Sequence, residues 1–149
     1  MPAFDRIQSG IDSLDSTLDF IRLGDNVVWQ VSGVEEYSYL AEHFARQAIY
    51  DKRNLIYMRF AHHKPLLSEH HDKKTYFLNA ESGFESFTVK THEIIAKEGK
   101  EAFYVFDSLS ELQVAWSVDL MMGNFFFVTC PYLFELDTVA YFGIIREKH

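Results

Sequence analysis

The chain has 149 residues and a formal net charge of −8, and 48% of its residues are hydrophobic. This length and composition suit one domain with a buried core and argue against disorder. The acidic balance disfavours nucleic acid and anionic membrane surfaces as the main partners, because both are bound by basic faces.

Five apolar segments are predicted as strands, and they alternate with helical segments along the chain. The first, residues 26–32, is too apolar to be half exposed, so we place it inside the sheet. The other four are residues 55–60, 75–79, 102–107 and 124–130. The alternation favours a three-layer α/β fold, with a mainly parallel five-stranded sheet and helices on both faces.

Helices are predicted where apolar residues recur at spacings of three and four. A short first helix is expected to have Ser9 as its N-cap. The longer ones cover residues 35–52, 84–97, 109–122 and 136–149, and Gly99 and Gly123 are expected to end two of them. We expect one domain over residues 1–149. Because the chain stops at a helix without a polar tail, we also expect this domain to belong to a longer polypeptide.

Three blocks of the sequence resemble the RecA superfamily, and the KaiC-like ATPases in particular. Residues 7–15 read IQSGIDSLD, residues 27–33 read VVWQVSG, and residues 103–110 read FYVFDSLS. In those ATPases the first block precedes the strand of the phosphate loop, and a strand ending in Asp-Ser-Leu-Ser supplies the carboxylate on the magnesium side. The resemblance implies a RecA-like, P-loop NTPase-like fold. It also implies that Gly33, Ser38 and Asp107 are the remnants of a nucleotide pocket.

The loop that would hold phosphate departs from the pattern. A phosphate loop reads G-x-x-x-x-G-K-[ST], and its lysine and hydroxyl meet the phosphates and Mg²⁺. Here residues 33–40 read GVEEYSYL, so Tyr39 replaces the lysine and Leu40 the hydroxyl. Glu35 and Glu36 would repel a triphosphate. The catalytic Glu that the ATPases carry after the second strand is also missing. We therefore expect no catalytic residue and no cofactor; binding of ATP with Mg²⁺ by a nonstandard loop is the alternative.

A narrower resemblance concerns residues 24–31, 103–112 and 123–142. These are similar to the N-terminal module of bacterial phosphoenolpyruvate synthase-like proteins, which resemble pyruvate phosphate dikinases. This likeness implies a regulatory or docking domain whose partner is the remainder of a larger polypeptide. The ATP and phosphoenolpyruvate/pyruvate sites of the phosphotransferase would then lie outside this chain. By analogy with RecA-like domains, a homo-oligomer is a further expectation.

Two histidine pairs, His62-His63 and His70-His71, lie in a polar loop predicted at residues 61–74. They are weak candidates for a Zn²⁺ or Ni²⁺ site or for a pH-responsive interaction surface. Neighbouring residues of an extended chain point to opposite sides, so each pair offers one ligand, and no convincing third ligand accompanies them. We therefore prefer a solvated loop without a metal.

A single cysteine, Cys130, excludes an internal disulfide and fits a reducing, cytoplasmic setting. Residues 1–6 contain no apolar signal core. The most apolar run, residues 125–134, is too short to span a bilayer. Cys130 itself is interpreted as a buried structural thiol.

Overall fold

The computed structural model describes residues 6–68, 72–116 and 119–146. Seven strands are found in these residues: β1 (Arg6–Ile7), β2 (Ile21–Arg22), β3 (Asn26–Val31), β4 (Leu55–Arg59), β5 (Lys74–Phe77), β6 (Phe103–Asp107) and β7 (Val139–Ile145). Five α-helices accompany them: α1 (Asp12–Leu18), α2 (Val34–Tyr50), α3 (Phe84–Glu98), α4 (Leu109–Trp116) and α5 (Asp119–Glu135), with a short 3-10 helix at Ala80–Ser82.

Five of the strands form one sheet in the order β3-β7-β6-β4-β5, and every neighbouring pair is parallel. β1 and β2 form a separate antiparallel pair. Helix α2 packs on one face of the sheet, where Phe44 stacks on Phe103 and Tyr141. Helices α3, α4 and α5 cover the other face. The predicted α/β fold with a five-stranded parallel sheet and helices on both faces is confirmed.

The prediction that the first strand lies inside the sheet is wrong. β3 lies at the end of the strand order, and among the described residues only β7 pairs with it. Its apolar sequence suggested an interior strand, but Val28 is 45% exposed. The interior place next to β6 is taken by β7, whose first five residues are all buried.

The prediction for the C-terminal third is also wrong. Residues 124–130, predicted as a strand, belong to α5, and residues 136–149, predicted as a helix, contain β7. Apolar residues 125 to 134 have high β propensity, but the fully buried positions are Phe125, Thr129 and Leu133, which recur every fourth residue as on a helix. Packing of this face outweighs propensity, and Pro131 is tolerated inside the helix with its ring exposed.

Two local predictions near the termini of helices need correction as well. Ile11, not Ser9, occupies the N-cap of α1. Ser9 instead donates its backbone N–H to the buried carboxylate of Asp15 at 2.9 Å. Gly123 lies within α5 rather than ending a helix, whereas Gly99 does end α3 as predicted. None of the helices in the described parts of the chain has the length and apolarity needed to cross a bilayer.

Candidate functional site

The carboxyl ends of β4 and β6 form the point of the sheet where a ligand site is expected. The two strands are neighbours, but the chain leaves them toward opposite faces. After β4 it passes to Leu66 and Leu67, which pack on the α2 face, and after β6 it enters α4 on the other face. In open parallel sheets, ligands bind in the crevice formed where connections diverge in this way.

Asp107 ends β6 at this crevice, and its side chain is fully buried. Its backbone carbonyl accepts hydrogen bonds from the N–H groups of Phe60 and Ala61 at 3.0 and 3.1 Å. Its Oδ2 atom accepts the hydroxyl of Tyr57 and lies 3.0 Å from Nη1 of Arg59. The neighbouring strand β4 therefore binds this carboxylate from within the protein.

The second carboxylate oxygen of Asp107 faces the loop after β4. Oδ1 lies 3.0 Å from Nε2 of His63, in ion-pair range but without the alignment of a hydrogen bond. Nδ1 of His63 lies 2.8 Å from the carbonyl of Lys64. Arg59 also donates through Nη2 to the carbonyl of His63. The loop is thus held beside the carboxylate by the His63 side chain and, through Arg59, by its backbone.

The same contacts act on the pKa values of Asp107 and Tyr57. Burial raises the pKa of Asp107 above its usual value, and the Tyr57 hydrogen bond, His63 and Arg59 oppose that rise. Burial and the neighbouring Asp107 carboxylate raise the pKa of Tyr57 as well. The Tyr57 hydroxyl therefore stays protonated, accepts the N–H of Leu66 at 2.9 Å and donates to Asp107. The Tyr57 hydroxyl is thus an internal anchor that joins the loop after β4 to the end of β6.

The turn after β3 is short and leaves no open phosphate loop. Gly33 is the N-cap of α2, which begins at the next residue, so positions 34–40 of the aligned loop are helical. A Cβ at Gly33 would lie 3.1 Å from Oε2 of Glu35, which shows that this carboxylate folds back over the turn. Ser32 Oγ donates to Oε1 of Glu36 at 2.5 Å. The positive end of the helix is thus covered by its own carboxylates.

Ser38 and Tyr39 do not face a common pocket with Asp107. The Ser38 hydroxyl donates to the carbonyl of Leu66 at 3.0 Å and so ties α2 to the loop after β4. Tyr39, at the position of the phosphate-loop lysine, is 58% exposed and packs on His43. Ser38 lines a groove of about 460 Å³ between α2 and this loop, but neither Gly33 nor Asp107 lines it.

Tyr37 occupies the region between the turn and β6. Its side chain is fully buried, and its hydroxyl donates to the carbonyl of Phe106, next to Asp107, at 2.8 Å. The ring passes across β7 at Gly143, where an added Cβ would come within 2.5 Å of it. Tyr37 thus spans the distance between the elements that the resemblance would make a nucleotide pocket.

The side chains of the two described candidate histidines, His62 and His63, lie against different groups. His62 has a side chain 79% exposed, with Nε2 3.9 Å from Oε2 of Glu111, whereas His63 faces Asp107. His62 lines a second cavity, of about 390 Å³, at the ends of β4 and β5. His70 and His71 lie outside the described residues. Within residues 6–68, 72–116 and 119–146, no group of three or more His, Cys, Asp or Glu side chains could hold a metal ion.

Sequence reasoning identified Asp107 but missed Tyr37, Tyr57 and Arg59. One usable signal was present, since Arg59 and Asp107 each end an apolar strand and the carboxyl ends of parallel strands meet at one edge. The pairing of those two strands was not readable from the sequence. Tyr37 carried no signal, because a tyrosine in a helix is ordinarily an amphipathic surface or core residue.

Comparison with known proteins adds no family assignment. No protein-family model matches the chain, and no curated protein matches it.

Proposed function

We propose that this chain is a RecA/KaiC-like domain that has lost ATP binding and acts as a non-catalytic regulatory or docking module. The main support for the proposal is that the side chains at the expected nucleotide pocket bind other groups of the protein itself. Tyr37 spans from α2 to β6, and Asp107 is bound by Tyr57, Arg59 and His63. A triphosphate would have to displace Tyr37 and Tyr57 from their buried hydrogen bonds and Arg59 from Asp107, which costs several kcal/mol.

Charge supports the same proposal. The helix N-terminus that follows β3 would favour an anion, but Glu35 and Glu36 lie against it. The Mg²⁺-side carboxylate is likewise unavailable, because Asp107 is fully buried beside Arg59 at 3.0 Å. A guanidinium in this place repels a divalent cation.

The proposed context is the N-terminal region of a phosphoenolpyruvate synthase-like phosphotransferase. The residues that bind ATP and phosphoenolpyruvate or pyruvate are then supplied by other parts of that polypeptide. The sequence likeness over residues 24–31, 103–112 and 123–142 is the support for this context. The proposed context predicts that residues 1–149 alone transfer no phosphate from ATP to pyruvate.

A thermal-shift titration tests the loss of nucleotide binding. Mg-ATP, Mg-ADP, phosphoenolpyruvate and pyruvate are added separately to the 149-residue chain, with Mg²⁺ alone as the control. We expect no change in Tm with any of them. A ligand present at 100 times its Kd would stabilise the fold by about 2.7 kcal/mol, or roughly 5–10 °C in a domain of this size. A concentration-dependent rise of that kind with either nucleotide contradicts the proposal.

A further inference from the structure

The part of the sheet formed by β4 and β5 is covered on one face by a loop. Tyr57 of β4 packs among the residues of the α2 face, and side chains two positions apart share a face, so Arg59 lies there too. The register pairs Tyr57 with Thr75 and Arg59 with Phe77, which places these two β5 side chains on the same face. Between them and the loop at residues 65–67 lies a cavity of about 160 Å³.

The loop wall of this cavity is fixed by hydrogen bonds on both sides of Leu66. Its N–H donates to the hydroxyl of Tyr57 at 2.9 Å, and its carbonyl accepts the hydroxyl of Ser38 from α2 at 3.0 Å. The next residue, Leu67, is buried. The cavity is therefore formed before any ligand arrives, and a preformed site loses less conformational freedom on binding.

The lining of the cavity is mainly apolar. Tyr57, Pro65, Leu67 and Phe77 contribute hydrocarbon surface. Phe77 is 78% exposed, so a ligand in the cavity would remove part of an aromatic ring from water, which is favourable. An apolar cavity of about 150 Å³ is large enough for one benzene ring. The size and lining therefore fit a ligand with a single six-membered ring.

The polar groups at the Lys73 end of the cavity are hydrogen-bond donors. Lys73 continues the alternation of Thr75 and Phe77, and its ammonium donates to the carbonyl of Ser68 at 2.7 Å. Among the described residues, no carboxylate forms an ion pair with Lys73, and the hydroxyl of Thr75 has no hydrogen-bond partner. Glu42 binds the N–H of Ser68 at 2.6 Å but does not line the cavity. Two N–H groups of Lys73 and one hydroxyl thus remain for an acceptor.

Arg59 lines the cavity beside Phe77, four positions along the strand from Lys73. Its guanidinium already binds the carboxylate of Asp107, the hydroxyl of Tyr57 and the carbonyl of His63, so the side chain is held in place. A held guanidinium interacts favourably with the face of an aromatic ring. The cavity therefore favours a ring at the Arg59 end and an anionic group at the Lys73 end.

We propose that this cavity binds a small aromatic carboxylate, in which one six-membered ring carries one carboxylate group. The ring lies among Pro65, Leu67 and Phe77, and the carboxylate accepts hydrogen bonds from Lys73 and Thr75. ATP is too large for a cavity of about 160 Å³, and phosphoenolpyruvate and pyruvate have no ring to fill its apolar part. The site is thus independent of the loss of nucleotide binding.

A thermal-shift titration of the 149-residue chain with sodium benzoate is the first test. We expect a saturable rise in Tm, of roughly 3–6 °C at ten times Kd. Sodium chloride at the same concentrations controls for ionic strength. Acetate has the charge without the ring, and benzyl alcohol has the ring without the charge, so each should bind at least about tenfold more weakly. A benzoate response no larger than that of sodium chloride overturns the proposal, and so does equal affinity for benzyl alcohol.

Calorimetric titration of variants with benzoate tests the position of the site. Lys73→Gln should raise Kd by at least about tenfold, because a charge-assisted hydrogen bond is replaced by a neutral one. Lys90→Gln is the matched control, since Lys90 is exposed on α3, on the other face of the sheet, and Kd should not change. Phe77→Ala removes an exposed ring and should also weaken binding.

Circular dichroism checks that the three variants are folded. An unchanged Kd in folded Lys73→Gln overturns the proposed site, as does an equal loss of affinity in Lys90→Gln. The outcome is separate from that of the nucleotide titration, because each proposal fails on its own ligand. A rise in Tm with Mg-ATP contradicts the loss of nucleotide binding, whereas the absence of a rise with benzoate contradicts only the carboxylate site.

Discussion

The ring of Tyr37 lies directly against the backbone of Gly143. A Cβ atom at Gly143 would fall 2.5 Å from two ring carbons, a distance at which something must move. The contact places a helix side chain across β7 and lets its hydroxyl reach the carbonyl of Phe106 at 2.8 Å. The absence of a side chain at residue 143 is thus what allows Tyr37 to take its position beside β6.

Gly143→Ala is predicted to destabilise the domain by about 1–3 kcal/mol, the usual cost of overpacking a close-packed core. The measurement is urea unfolding of the variant and the wild type. Gly123→Ala is the control, because a Cβ there meets nothing within 4 Å and the residue is helical. It should stabilise by about 0.5–1 kcal/mol. In a Tyr37→Ala background the cost of Gly143→Ala should largely disappear, and an unchanged cost would show that the ring contact is unimportant.

Asp107→Asn is predicted to cost about 3–5 kcal/mol of folding free energy. The change removes the negative charge beside Arg59, whose side chain is only 12% exposed, and leaves that guanidinium buried without its counterion. Asp137→Asn is the control, because Asp137 is exposed at a left-handed φ of 54° that Asn also adopts readily. Chemical denaturation measures both variants.

A small effect of Asp107→Asn would contradict the structural role of this residue. Adding Arg59→Met to it distinguishes the cause, since removing both charges should recover part of the lost stability. If the double variant is no more stable than Asp107→Asn, the loss does not come from an unpaired guanidinium.

The carboxyl group of Glu98 is predicted to account for part of the loss of folding stability at acid pH. Burial raises the pKa of this carboxyl, but hydrogen bonds from Lys74, Tyr76 and Asn54 outweigh it and lower the pKa from 4.5 to about 2. Because the pKa of Glu98 is lower in the folded protein than in the unfolded chain, its ionised carboxylate stabilises the folded state. This stabilisation is complete above the pKa of the unfolded chain, and it is lost as the pH falls from about 4.5 toward 2. The amount is on the order of 2–3 kcal/mol.

Glu98→Gln should therefore lower stability at neutral pH and flatten its decline between pH 4.5 and 2. Thermal unfolding across that interval is the measurement. Glu93→Gln, on an exposed position of the same helix, is the control and should keep the wild-type profile. An equally steep acid decline in Glu98→Gln would show that other groups are responsible.

The thiol of Cys130 is predicted to be unreactive in the folded protein. Burial raises its pKa from 9.0 to about 11, so the fraction of thiolate at pH 8 falls about a hundredfold. Reaction with a thiol-specific disulfide reagent should be slower by about that factor than in the unfolded chain. Labelling in urea supplies the reference rate. Fast labelling of the native protein would contradict the raised pKa of this half-buried cysteine.

Some of this architecture follows from local residue patterns. β4 and β6 were predicted to within one residue at each end, because their apolar runs are short and are bounded by polar or turn residues. The closed turn after β3 was also foreseeable in part. Glu35, Glu36 and Tyr39 are the wrong residue types for binding phosphate, whatever the surrounding fold.

Other features could not be read from the sequence, because they depend on which segments become neighbours. The segment around Phe125–Phe127 has the composition of a strand, yet its burial every fourth residue against α3 and α4 makes it a helix. That assignment moves the fifth strand to residues 139–145 and β3 to the edge. The Asp107 cluster likewise requires β4 and β6 to pair.

The amino-acid sequence by itself thus determined the α/β class, four of the five sheet strands and the absence of the phosphate-loop residue pattern at residues 33–40. These depend on apolar runs and residue types, which act over a few neighbouring positions. The tertiary structure alone decided the strand order, the burial of Asp107 against Arg59 and the place of β3 at the end of the sheet. Those depend on contacts between residues far apart in the chain, from 18 positions for Ile56 and Lys74 to 114 positions for Asn26 and Ala140, and such pairings are selected by the packing of the whole core.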